Sequence, residues 1–321
     1  MSFRWGLIGY GDLAGKRVAD ALKQSGELRA LWGRDATRTS EFAARHEIAR
    51  ACTSLDELLG EDLDAVYVCT PPDSHAVYTI AAASRGRHVL VEKPMASSVS
   101  ECDDMRIAAE SNGVTLGVAY YRRSFPKMIR MRELIAEGVL GVPVWVNIAS
   151  HSWFAPPSDG VKRWRVERST SGGAGALADI GVHRLDLLEY WFPGAELKAA
   201  LFTNLVHHYD VEDGSSLLLQ LPGGAPVQAF FSWNSKTWID RFEIAGSEGK
   251  MIAEPLDGPQ LTVIRGRDRE ELFISPPENA HLPCVRDFVA ACREGRTPLC
   301  GAAAGARSNF LLQQAIRLAG R

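Results

Sequence analysis

Phe3-Arg4-Trp5-Gly6-Leu7-Ile8-Gly9-Tyr10-Gly11-Asp12-Leu13-Ala14 reads as an apolar strand running directly into a glycine-rich turn. Residues 13–24 then carry a helical apolar pattern, so the stretch is strand, turn, helix. In that setting each small residue has a task. Gly9 permits the tight turn, Gly11 lets the backbone approach a pyrophosphate, and Ala14 allows close packing of helix on strand. Free amides and the positive dipole end at the helix start suit phosphate oxygens. Gly9, Gly11, Asp12 and Leu13 are therefore candidate dinucleotide contacts.

Working outward, the first third alternates short apolar runs (residues 3–8, 28–32, 65–69, 88–91 and 114–119) with helical patterns (37–46, 54–59, 74–85 and 98–112). That alternation predicts a parallel sheet covered by helices. Ser54-Leu55-Asp56-Glu57 has the spacing of a capping box. Past Pro126 the pattern changes to one helix (127–137) and long alternating runs at 142–150, 197–205, 215–221, 227–233, 242–245 and 261–265. These predict a mostly antiparallel sheet, with a helix inserted at 182–191. Two closing helices are expected at 284–293 and 302–319, the second packing back on the nucleotide domain. The expected division is an α/β Rossmann domain at 1–123 and an α+β domain with an open-faced sheet at 124–321.

The 321 residues, 46% hydrophobic and 23% charged, are those of a globular protein with room for two cores. A net charge of -3 gives no electrostatic reason to expect nucleic acid or an anionic membrane as partner. No apolar run approaches the roughly 18 residues of a membrane helix, so the cytoplasm is the expected location. Six cysteines without a CxxC pair argue against a zinc site or disulfide framework and read as reduced packing residues.

Four further motifs follow the fingerprint: Thr70-Pro71-Pro72-Asp73-Ser74-His75, Glu92-Lys93-Pro94, Ala119-Tyr120-Tyr121-Arg122-Arg123, and the block from Gly172-Gly173-Ala174-Gly175 through Asp179-Ile180-Gly181-Val182-His183. With these motifs in this order the chain resembles the Gfo/Idh/MocA oxidoreductases, over nearly its whole length. The resemblance implies a Rossmann domain joined to an open-faced sheet that often mediates oligomerisation. It also implies NAD(P) held between the domains, a sugar, polyol or cyclic alcohol as substrate, and a cis Lys93-Pro94 bond. Lys93 matches the family's catalytic lysine, and Asp179 and His183 match the aspartate and histidine that contact the reacting sugar.

The residues support that chemistry on their own terms. Hydride exchange at an alcohol carbon needs a proton carrier and a polar clamp on the oxygen. A histidine's ordinary pKa near neutrality suits His183 to the first task. Lys93, at the carboxyl end of a parallel strand, suits the second. Asp179 and His183 are four apart, one helical turn, although Asp179 also reads as a helix cap. Glu92 reads as a brace for Lys93 and, with Thr70, Pro71 and His75, as part of the cofactor loops; His75 is equally a structural residue. Tyr121 and Arg123, with Arg122, are candidates for the substrate cleft or for an interdomain salt bridge. Trp153, Arg163, Trp164 and Arg165 form an aromatic and basic cluster that suits stacking on a sugar ring or binding hydroxyls or, alternatively, a dimer contact. His207-His208 has no ligand spacing nearby and reads as a solvated strand end.

Cofactor choice turns on Leu31-Trp32-Gly33-Arg34-Asp35. Gly33 stands where an NAD enzyme carries an acid, and Arg34 and Arg38 are placed for a 2'-phosphate, which favours NADP. A one-residue shift brings Asp35 to the ribose instead. Phe230, Phe231, Trp233 and Trp238 are expected on one exposed sheet face, pointing to a homodimer or homotetramer. Two alternatives stand beside the dehydrogenase reading: redox-assisted elimination or glycoside cleavage with retained nicotinamide, and a non-catalytic dinucleotide-binding sensor or co-regulator.

Overall fold

The computed structural model describes residues 2–160 and 162–320; residues 1, 161 and 321, which the domain expectation also spans, lie outside the described residues. By its contacts the chain divides into two units, Met1–Ser124 with Glu278–Ala306, and Phe125–Pro277 with Arg307–Arg321.

The first unit opens with β1 (Arg4–Ile8), the glycine turn and a π-helical turn (Ala14–Val18) that continues as α1 (Ala19–Ser25). It proceeds through β2 (Glu27–Trp32), α2 (Ala36–Arg45), β3 (Arg50–Cys52), α3 (Leu55–Gly60), β4 (Ala65–Val68), α4 (His75–Ser84), β5 (His88–Val91), α5 (Val99–Ser111) and β6 (Leu116–Val118). The strands are all parallel, in the order β3-β2-β1-β4-β5-β6. This is the doubly wound Rossmann order. Because helices cover both faces, Trp5, Leu7, Ile8, Val66, Tyr67 and Leu90 are all buried and the strands read as unbroken apolar runs. The capping box forms at Ser98, where Glu101 Oε2 accepts from the Ser98 amide and Ser98 Oγ from that of Glu101. At Ser54 only half of the expected box is made, since Glu57 turns its carboxylate to the Thr53 amide and hydroxyl.

The second unit carries α6 (Pro126–Ala136), β7 (Pro143–Trp153), a π-helical turn (Leu177–Gly181) leading into α7 (Val182–Trp191), and β8 (Glu196–Thr203), β9 (Gly214–Gln220), β10 (Pro226–Ser232), β11 (Asn234–Gly246), β12 (Gly249–Ala253), β13 (Gln260–Arg265) and β14 (Asp268–Phe273). These eight strands run in the order β14-β13-β12-β11-β7-β10-β9-β8, antiparallel except for β10 beside β7. One sheet face packs on α6 and α7, with Trp191 edge-on to Phe242 at 4.9 Å and its Nε1 donating to the Met128 carbonyl. The aromatic face expected to be exposed is split by the pleat: Phe231 and Trp233 are buried, Phe230 is half-buried, and Trp238 is 60% exposed. Leu201 and Leu218 stand on the outward face instead.

Lys127 on α6 is buried, its Nζ donating to the Pro255 and Gln260 carbonyls at 3.0 and 3.1 Å. Burial brings its pKa down to about 8 from 10.5, against the charges of Asp257 and Asp240. The unfolded chain therefore binds more protons between these values, and stability gains with rising pH across that window. Against Lys127→Met as reference, urea unfolding from pH 8 to 10.5 should show wild-type stability rising by on the order of 3 kcal/mol. Parallel pH profiles would discard this account of Lys127.

Beyond the second sheet the chain forms α8 (Leu282–Glu294) and α9 (Ala302–Leu318). α8 packs against α1 and lays Phe288 on Trp5, with ring centroids 5.7 Å apart. The return to the first unit is thus made by α8 and the opening turn of α9, while the remainder of α9, expected to make that return, groups with the second unit. The apolar stripe Val285, Phe288, Val289 explains the difference, since it completes the first unit's core. All six cysteines are free thiols, and burial pushes Cys52 up to about 11 and Cys102 and Cys292 to about 12.

Candidate active site

In the first unit, Gly9 has φ +102° and its amide donates to the Trp32 carbonyl; a Cβ there would lie 2.6 Å from the Cys69 carbonyl oxygen. Only glycine serves at this turn. A Cβ on Gly11, by contrast, meets nothing within 4 Å, so the turn faces open space at a helix start, a cradle that fits a pyrophosphate. Asp12 at the same edge pairs with Lys16 at 2.9 Å.

Tyr10 folds over the end of β2. A Cβ on Gly33 would lie 2.1 Å from the Tyr10 ring, the Asp35 amide donates to the Tyr10 hydroxyl at 3.2 Å, and the Arg38 guanidinium stacks 4.9 Å from the ring centroid. Asp35 is the N-cap of α2, its Oδ1 accepting from the Arg38 amide at 3.0 Å. Arg34 and Arg38 are exposed.

The Thr70 and Lys93 turns are tied together by His75. Its ring is buried, with Nε2 2.8 Å from the Thr70 carbonyl oxygen and Nδ1 3.0 Å from that of Pro94. Burial lowers the imidazole's titration, although both carbonyls favour its charged form. With both nitrogens facing backbone carbonyls, His75 braces these loops, as its structural reading expects. Thr70 Oγ1 accepts from Ser74 Oγ, and Pro71 precedes the 3-10 turn Pro72–Ser74. The Lys93–Pro94 peptide is cis.

Glu92 points inward. Its carboxylate accepts from the Tyr67 hydroxyl at 2.7 Å and the Lys93 amide at 3.1 Å, and faces His281 Nε2 at 3.2 Å. Burial alone would raise this carboxyl, but His281, Tyr67 and the Lys93 charge hold it below its usual range. Glu92 thus braces the Lys93 turn. Tyr121 and Arg123, expected at a substrate cleft or in an interdomain salt bridge, are buried: the Tyr121 ring lies tilted against His281 with centroids 4.5 Å apart, and Arg123 donates to the Leu299 carbonyl.

In the second unit, the glycine block is pinned by Glu212, a buried carboxylate that accepts from the Gly175 and Leu177 amides at 2.8 and 2.9 Å. Asp179 lies within the π-helical turn, where the ring of hydrogen bonds is one residue wider than in an α-helix. His183 follows four positions on, in the first turn of α7, and is buried. Asp179 Oδ2 accepts from the Arg165 guanidinium at 3.2 Å, and Arg165 also stacks on Trp164 at 5.3 Å. Through Arg165, the Trp164 ring and Asp179 are thus linked. Trp153 meets His207 edge-on at 4.7 Å, and His207 stacks on Tyr209, over which Arg163 lies at 6.0 Å. His207 is accordingly part of an aromatic stack and not a solvated strand end.

Both parts of the chain match known families. Residues 3–120 fit the oxidoreductase family's NAD-binding Rossmann fold, and residues 128–252 fit the GFO/IDH/MocA C-terminal domain. The chain belongs to the Gfo/Idh/MocA oxidoreductases. Within this family it is 34% identical over 295 residues to 1,5-anhydro-D-fructose reductase of Ensifer adhaerens, covering 90% of this chain and 87% of that protein. A levoglucosan dehydrogenase in complex with NADH and levoglucosan shares the fold with TM-score 0.90 at 20% identity, covering 100% and 98% of the two chains. A 3-ketoreductase of Actinomadura kijaniata, in complex with NADP and TDP-benzene, shares it at 0.85 and 24%, covering 98% and 96%. As a Gfo/Idh/MocA member the chain is an NAD(P)-dependent oxidoreductase of CH-OH groups.

Proposed function

We propose that this oxidoreductase prefers NADP and acts on a sugar, a polyol or a related cyclic ketone, with the ketose-like substrate class of its 34% identical reductase relative as the first to test. The observation that carries the cofactor preference is the capped Asp35. Its Oδ1 already holds the Arg38 amide, Gly33 brings no acid to the ribose, and exposed Arg34 and Arg38 offer planar cations to a phosphate. When bound, the nicotinamide supplies or takes up the hydride. Lys93 then polarises the reacting oxygen, His183 exchanges its proton, and Asp179, with Arg165 on it, orients neighbouring hydroxyls. Trp153, Arg163 and Trp164 complete the substrate side. Leu201 and Leu218 on the outward sheet face support a homo-oligomer. Among the described residues no helix is long and apolar enough to cross a membrane, and we place the enzyme in the cytoplasm.

Calorimetric titration of the apo protein with NADPH and NADH tests the preference. NADPH should bind at least about tenfold tighter, about 1.4 kcal/mol, and Arg34→Ala should erase the gap. Tighter binding of NADH would overturn the phosphate reading.

A further inference from the structure

We infer that His281 is a positioning residue for Lys93, acting through Glu92. The inference rests on the reading of Lys93 as the group that polarises the reacting oxygen. One buried carboxylate joins three pieces of chain: Tyr67 of β4 and His281, just ahead of α8, both meet Oε1, while Oε2 accepts from the amide of Lys93 itself. His281 is 1% exposed and Glu92 5%.

The imidazole is poorly suited to a packing role alone. Its Nδ1 is buried and has no hydrogen-bond partner among the described residues, while its face lies on Tyr121. An apolar ring would fill that space without leaving a nitrogen unsatisfied. What a histidine adds there is the Nε2–H directed at Glu92. The segment that presents it is fixed in turn, because the His281 amide donates to Asn279 Oδ1 at 3.0 Å and Asn279 Nδ2 donates to the Arg17 carbonyl.

The groups that face Glu92 are Tyr67 from β4, Cys69 just after it, His75 from α4, His281 and Lys93. Of these, Tyr67 and His281 direct a hydrogen to the carboxylate from a side chain. Without the His281 N–H, the buried carboxylate keeps one donor fewer and takes up a proton more readily. The Lys93 ammonium then loses the negative neighbour that favours its charge, and Lys93 titrates lower.

Competitive acetylation of the whole chain with acetic anhydride across a pH series, read at the Lys93 peptide by mass spectrometry, follows that titration without nucleotide or substrate. In His281→Phe the Lys93 midpoint should fall by about one unit, which is about a tenfold gain in acetylation rate below the midpoint. His281→Gln, whose side-chain amide can stand in for Nε2–H, should restore the wild-type midpoint. Glu92→Gln should give the same fall, and adding His281→Phe to it should change nothing more. An unmoved Lys93 in His281→Phe, or an equal further fall in the Glu92→Gln background, overturns the inference. If His281→Phe does not fold, Glu92→Gln alone decides, since an unmoved Lys93 there removes the link. The Lys93 reading is separated by turnover of Lys93→Ala. An inactive variant with an unmoved titration in His281→Phe overturns the role of His281 alone, whereas an active one overturns both.

Discussion

Lys93→Ala should lower kcat by about 10²–10³-fold on any sugar or polyol that the wild type turns over, while the Kd for NADPH changes by less than about threefold. The expectation follows from what holds the turn. Glu92 grips the Lys93 amide, and His75 grips the Pro94 carbonyl, so both anchors survive removal of the lysine side chain. The loop should keep its shape and lose only the ammonium, which acts on charge that develops in the transition state. Lys93→Arg should not restore the rate, because a planar guanidinium on the same backbone carries its charge farther out and in a different shape. Steady-state kinetics beside calorimetric nucleotide titration makes the check. Turnover within a few-fold of wild type would remove Lys93 from the reaction.

Arg184→Met should destabilise the protein by about 3–5 kcal/mol, the largest stability effect expected of any single substitution discussed. Arg184 and Asp240 form a buried ion pair at 2.6 Å, with side chains 6% and 5% exposed. Removing the cation strands a carboxylate in the core beside α7, where water cannot reach it. The same guanidinium also donates to the Ile180 carbonyl at 2.9 Å, inside the π-helical turn that carries Asp179. Turnover should therefore fall along with the urea midpoint. In the double variant Arg184→Met with Asp240→Leu, most of the lost stability should return because no charge is left unpaired. A single variant that unfolds at the wild-type urea concentration would show that the pair contributes little.

Much of this molecule is legible along the chain because its strongest signals are local. The parallel strands declare themselves as short apolar runs, and residues 88–91 and 182–191 are bounded as the pattern predicts. β3, β12 and β14 were not legible: β3 is only three residues long, β12 (Gly249–Ala253) only five, and β14, Asp268–Phe273, is a charged edge strand without an apolar face. The π-helical turns carry no sequence mark, since a hydrogen bond one residue longer needs no special side chain. The braces were hidden for another reason. His281 reaches Glu92 across 189 positions, and Glu212 reaches Gly175 across 37, so neither pairing leaves a spacing to read. Tyr121 and Arg123 are marked by their motif, yet their burial was not, because the His281 ring and the Leu299 carbonyl that meet them come from far along the chain.

The buried thiols bear on how this enzyme can be handled at the bench. Maleimides and similar reagents react with thiolates, and five of the six native sulfurs are buried while Cys292 is held near 12. At neutral pH the native chain is therefore close to silent towards such dyes. Val77→Cys, at a position 64% exposed on α4, would give one addressable handle without first stripping the native cysteines from the core. A fluorescent label can thus be attached to the natural sequence at one chosen position with a single change.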